Sequence, residues 1–300
     1  MPKERGRDMA HGTMTDARAE RNVRERLRQM GVPRRTTAEF WTWVGPLLAF
    51  WKVARLREGA ETGKSPEQHL QKAMAARSAT VRAKYAKLGL AARARLDRTT
   101  QAMLLRQLYL AHFEARKFGP ARDVAVQLLR LQVLTDVAHQ DAARACQALG
   151  DIHSAIGHLR LAARSGPASR RAFHLWTLGG LLYLQGRYAQ ATSALTRAAR
   201  WGTSDKPLYL GHLALARCAQ GETMADLDAI IDELAAAPCG QGYGRFVLGR
   251  LCVYARRQAE AVRYLEAFVR RTLGGRLALS IALAPELSEA KRALAAMRGN

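Results

Sequence analysis

The sequence predicts an all-α fold, an α-solenoid of about five helix pairs, and three observations carry that prediction. First, a pattern of small and bulky residues returns at a step of about 35 residues. With Ala102, Asp136, Ala172, Pro207 and Gly242 as first positions, the intervals are 34, 36, 35 and 35. Second, each unit holds a turn at a matching offset, at Lys117-Phe118, Gly150 and Gly186 among others. Third, the residues on either side of the turn fall on helical faces, as Ala191, Leu195 and Ala198 do in the unit from Ala172. A recurring two-helix unit cannot bury its apolar face alone, so the units must stack.

The unit from Ala172 is the clearest. Leu178-Gly179 sits on its first helix, Gly186 ends that helix, and Tyr188 opens the second. In the unit from Asp136 the second helix carries Ala155, Leu159 and Ala162, and Pro167 closes it. The unit from Gly242 repeats the pattern with Leu248-Gly249, Ala261, Leu265 and Phe268, and the unit from Ala102 continues with Ala121, Ala125 and Leu128. The fourth unit departs from the pattern: Asp226 and Glu233 stand where alanine is usual, so its second helix, near residues 224–236, is expected to slip by a residue or pack loosely. Residues 285–297 form a closing helix whose Leu287, Ala290, Leu294 and Met297 cover the exposed end of the stack.

Over roughly residues 102–271 this pattern resembles the tetratricopeptide repeat family. The resemblance implies a right-handed α-solenoid with a concave groove lined by the first helices. With the composition of the flanking segments, the chain is expected to divide into a disordered tail (1–14), a basic helical N-terminal region (15–100), the repeat array (101–275) and a C-terminal capping helix (276–300). Carried over position by position, the family's groove-facing offsets fall on Arg106, Leu110 and Phe113 in the first unit and on Gln140, Arg144 and Gln147 in the second. They fall on Phe173, Trp176 and Tyr183 in the third unit and on Tyr243, Phe246, Arg250 and Tyr254 in the fifth. Aromatic anchors beside arginines suit a protein or peptide segment with bulky apolar residues and acidic groups. Family members that clamp a C-terminal carboxylate use Lys and Asn at set groove positions, and Leu110 stands where the Asn belongs.

Before the array, residues 16–30 read as a helix with Val23, Leu27 and Met30 on one face. Aromatics concentrate at Phe40, Trp41, Trp43, Phe50 and Trp51, between Arg34-Arg35 and Lys52. Apolar residues wrap most of this segment, which fits burial or self-association better than a helix lying on lipid. Gly59 and Gly63-Lys64-Ser65 imitate a phosphate loop with one residue too few between the glycines, and Pro66 follows at once. A densely basic helical stretch then runs through Arg82, Lys84, Lys87, Arg93, Arg95 and Arg98.

Composition bounds the function. Lys and Arg number 48 against 25 Asp and Glu, a net charge of +23 that favours acidic partners, and its density is highest in the first third. Residues 1–100 could therefore meet nucleic acid or an anionic membrane surface. The four cysteines lack metal-ligand spacing and read as buried free thiols, and no apolar run is long enough to span a bilayer, so the expected compartment is the cytoplasm. The eight histidines show no metal-site pairing, and Arg245 breaks the Gly240, Gly242, Gly244 run where a dinucleotide fingerprint needs glycine. The sequence thus predicts no catalytic residues, no metal and no cofactor. Three functions remain: an adaptor or scaffold that binds a partner segment in the groove, a nucleic-acid-associated protein gripping phosphate through its N-terminal third, and a holder of unfolded clients like the secretion chaperones, which residues 205–211 faintly resemble.

Overall fold

The structure is a computed structural model that describes residues 65–91, 96–203 and 205–298, all within one compact unit. The N-terminal tail, the helix expected at 16–30, the aromatic segment Phe40–Trp51, the glycines of the apparent phosphate loop, and Arg93 and Arg95 lie outside the described residues. The described residues form helices joined by turns, with no strand among them.

Chain order gives α1 (Pro66–Ala75), α2 (Ala79–Ala91), α3 (Arg98–Glu114), α4 (Phe118–Arg130), α5 (Thr135–Ala148), α6 (Ile152–Ser165) and α7 (Ala168–Leu184). It continues with α8 (Tyr188–Trp201), α9 (Lys206–Ala219), α10 (Leu227–Ala236), α11 (Gly244–Tyr254), α12 (Gln258–Leu273), α13 (Leu277–Ala282) and α14 (Ala284–Arg298). Each helix packs on the next in sequence. Five hairpins, from α3/α4 to α11/α12, match the five repeats, and α1/α2 adds a sixth that packs on α3.

One backbone device makes every repeat turn. The residue after the first helix adopts a left-handed conformation at Arg116, Gly150, Gly186, Gly221 and Arg256, with φ between 57° and 89°. The next N–H then reaches back to the last turn of the helix: Lys117 to His112 O, Asp151 to Cys146 O, Arg187 to Leu182 O, Glu222 to Arg217 O and Arg257 to Cys252 O, at 2.9–3.2 Å. This is the Schellman closure, and it satisfies carbonyls the helix end would leave bare. Glycine suits the left-handed site because it has no Cβ to clash, yet two of the five sites hold arginine. Arg116→Gly and Arg256→Gly are therefore each expected to raise stability by about 0.5–1 kcal/mol in chemical denaturation, whereas Gly186→Ala should lower it by a similar amount.

Within a hairpin the two helices approach where a glycine faces a leucine. A Cβ on Gly179 would lie 2.5 Å from Leu195 Cγ, and one on Gly249 the same distance from Leu265 Cγ. Ala191, Leu195, Ala261 and Leu265 are fully buried at these crossings. The fourth hairpin slips as expected: α10 begins only at Leu227, and it buries Ile231 and Leu234, each one residue past the position its neighbours use. Asp226 and Glu233 are thereby kept out in solvent.

Helix starts follow local chemistry. Asp97 caps α3 by accepting the Thr99 and Thr100 N–H groups at 2.9 and 3.0 Å, and Asp151 caps α6 through the Ser154 N–H. Ser65 caps α1, with Pro66 in the first helical position, so this end of the apparent phosphate loop is a helix start. In the basic stretch, Arg82 is ion-paired with Glu114 on α3. The four cysteines are buried free thiols.

Candidate functional site

The first helices α3, α5, α7, α9 and α11 present one face of the array, and the C-terminal segment lies against it. The helix α13 packs on α3 and α5, at the start of the array, while α14 packs on α11 and α12, at its end. Leu287, Ala290 and Leu294 of α14 are buried there, with Met297 half-buried beside them. One carboxylate joins helices two hairpins apart: Glu289 Oε1 accepts the Tyr183 hydroxyl of α7 at 2.9 Å and lies 2.9 Å from Arg250 Nε of α11. The arginine contact is an ion pair, with its Nε–H not aligned for a hydrogen bond. First helices two hairpins apart thus share one carboxylate on this side of the array, the inner face.

Four of the aromatics that the repeat offsets assigned to this face, Phe173, Trp176, Tyr183 and Tyr243, are buried in one cluster with His212. Trp176 and Tyr243 meet edge to face with ring centroids 4.9 Å apart, Phe173 packs on Trp176 at 5.7 Å, and Tyr183 and Tyr243 both pack on His212. His212 is absent from the sequence-derived set. Its position on α9, whose repeat offers few aromatics, gave no signal. Three assigned residues take other roles. Phe246 is wholly buried against Phe268, as core between α11 and α12. Arg106 is buried and paired with Asp141 at 3.4 Å, so its charge is neutralised inside the stack. Phe113 is buried with Tyr109, Phe118 and Ile281, at the end that α13 covers. Tyr254 lies exposed on the rim, and Arg144 is half-buried beside a cavity of about 290 Å³ that Phe113, Phe118, Gln147, Ile281 and Pro285 also line.

Burial dominates the electrostatics of this interior. Glu286, one turn before Glu289, accepts the Tyr243 hydroxyl at 3.5 Å, and its other oxygen has no hydrogen-bond partner. Its carboxyl is pushed up to about 7 by burial, opposed by its own backbone N–H and reinforced by the nearby Glu289 charge, with Tyr243 and Arg144 as smaller opposing influences. The Tyr183 hydroxyl is raised by burial. Burial pushes His212 down to about 3, so its imidazole is neutral at physiological pH, and neither ring nitrogen has a hydrogen-bond partner among the described residues. The site holds two carboxyl groups of the chain's own helix α14.

A second polar constellation lies between α5, α6 and α7. Asp136 receives both Nε and a terminal nitrogen of Arg170, at 2.6 and 2.9 Å, and the ring of His174 at 2.9 Å. Burial alone would raise the Asp136 carboxyl, but the His174 and Arg170 hydrogen bonds hold it well below the usual range. Gln140 meets the other His174 nitrogen at 3.1 Å, and the His139 and His158 rings face each other with nitrogens 3.0 Å apart. Arg106–Asp141, Asp136–Arg170 and Gln140–His174 are each separated by 34 or 35 positions, one repeat length. Polar residues of complementary type one repeat apart were thus a readable signal of inter-repeat bonding. Their role is to fix the register of successive hairpins, and no group of three or more possible metal ligands occurs among the described residues.

The stretch from α6 to α8 differs in charge. No acidic residue occurs between Asp151 and Asp205, whereas Arg160, Arg164, Arg187, Arg197 and Arg200 are exposed, and Arg170 is held by Asp136. Trp201 is 48% exposed there, with the Arg171 guanidinium 5.1 Å from its ring centre. No helix of the described residues is long and apolar enough to cross a membrane. No family model matches the chain, and no curated protein is similar to it in sequence.

Proposed function

We propose that the chain is a non-enzymatic adaptor, a tetratricopeptide-like scaffold whose inner face binds a segment of a partner protein. The observation that carries this reading is the Tyr183–Glu289–Arg250 contact. It is an aromatic hydroxyl and an arginine from different repeats, converging on one carboxylate of a helix that is not itself part of the repeats. Surrounding rings supply apolar area, and the arginine supplies selectivity for acid.

Affinity capture by the full chain tests it, with nuclease present throughout. A protein recovered by the wild type should be lost from the Tyr183→Phe, Arg250→Gln double variant, with both chains equally helical. Equal recovery by the variant, or loss only when residues 1–64 are removed, would sink the groove reading. The exposed arginines around Trp201 support a second reading, contact with a phosphate-bearing partner. That reading requires affinity for nucleic acid to fall steeply with salt, in proportion to the phosphates neutralised, and to drop on Arg197→Gln with Arg200→Gln.

A further inference from the structure

We infer that the C-terminal segment is a displaceable occupant of the inner face, and that the partner is an amphipathic helix presenting two carboxyl groups about one turn apart beside a leucine stripe. This rests on the adaptor reading and adds the chemistry of the ligand and the way access to it is controlled. The helix α14 is itself the template. Glu286 and Glu289 point into the site, Leu287, Ala290 and Leu294 form the stripe, and Lys291, Arg292 and Arg298 face solvent.

The closed arrangement is poorly satisfied for a permanent core. Five buried polar atoms of the first helices and α14 have no hydrogen-bond partner among the described residues: Tyr109 Oη, Trp176 Nε1, both nitrogens of His212, and Glu286 Oε2. Buried polar atoms of native proteins are overwhelmingly paired. A ligand or solvent that satisfied these would favour an opened state. The fit is also incomplete where α13 passes into α14, since the cavity beside Arg144 lies there. The mechanical connection is weak as well. Gly274-Gly275 joins the array to α13, which has six residues and cannot be a stable helix alone. The flanking Leu273 and Leu277 are exposed. The array itself ends at α12, so α13 and α14 can leave without breaking a hairpin.

The test uses the full chain and a fluorescent peptide of residues 283–298. The variant Glu289→Lys places a cation against Arg250 and should release α14, seen as faster hydrogen exchange across 284–298 with exchange in α7 and α8 unchanged. The peptide should then bind the variant at least tenfold more tightly than the wild type. Adding Tyr183→Phe should weaken that binding, and a peptide carrying Gln in place of Glu289 should not compete. Glu289→Gln, a milder change, covers the case in which the lysine variant fails to fold. An α14 that stays protected in both variants, or a released α14 with no gain in peptide affinity, overturns the proposal. A released variant that sediments as a dimer would make a second copy the occupant and overturn it too. Capture of a partner through Tyr183 and Arg250, equal in the wild type and Glu289→Lys, would leave the adaptor standing while removing the displaceable helix.

Discussion

Gly179→Val is expected to lower the stability of the array by about 3 kcal/mol, at the upper end of what overpacking does in a close-packed interior. The added Cβ alone would sit 2.5 Å from Leu195 Cγ and 2.7 Å from its Cδ2. Leu195 is fully buried between α7 and α8, so it cannot swing into solvent, and the hairpin must open. The control is Gly157→Ala on α6, where a Cβ would meet nothing within 4 Å. Both glycines are interior to helices, and replacing either by alanine gains the same intrinsic helix propensity, about 1 kcal/mol. Urea unfolding should therefore show Gly157→Ala stabilised by about that amount, and Gly179→Ala destabilised despite it. If both alanine variants were stabilised, the hairpin crossing would be misplaced.

The second large effect is set by pH. Glu286 titrates near 7 in the closed molecule against about 4.5 for a free glutamate. The closed state thus holds a proton that the opened state releases between those values. Stability of the docked α14 is full below pH 4.5, declines as pH rises towards 7, and stays reduced above it. A shift of this size corresponds to about 3 kcal/mol. The groups facing Glu286 are Tyr243 of α11, Arg144 of α5 and its own neighbour Glu289, which is in turn held by Tyr183 and Arg250. Glu286→Gln keeps the shape and removes the titration, so docking of α14 should become equally strong at pH 5 and pH 8. A wild-type α14 held more tightly at pH 8 than at pH 5 would contradict this account.

The repeat was legible because two steric demands recur at fixed offsets: a left-handed residue after the first helix, and a small residue where the helices cross. Glycine answers the first at 150, 186 and 221, and the second at 179 and 249. Even the fourth hairpin was readable, because Asp226 and Glu233 cannot be buried at alanine positions. The α1/α2 hairpin was less so. Its turn at Ala76–Ser78 contains neither Gly nor Pro, and only Ala86 and Gly89 of α2 are buried, so no apolar stripe announces it. The inner face was legible in part. Repeat offsets say which way Trp176, Tyr183 and Tyr243 point, but not what lies over them. That information sat in α14, where Glu286 and Glu289 flank an apolar stripe and needed partners such as Tyr243 and Arg250. Arg106 shows the converse. Its offset is that of a groove residue, but Asp141, one repeat on, claims its charge first.

Hydrogen exchange over residues 284–298 in the wild type and in the Tyr183→Phe, Arg250→Gln double variant is the most direct measurement of the central claim, that the inner face is closed by the chain's own C-terminal helix. With the Glu289 contacts in place, α14 amides should be strongly protected in the wild type. They should exchange at least tenfold faster in the variant, while those of α7 and α8 are unchanged. Equal exchange of α14 in the two proteins would contradict the claim.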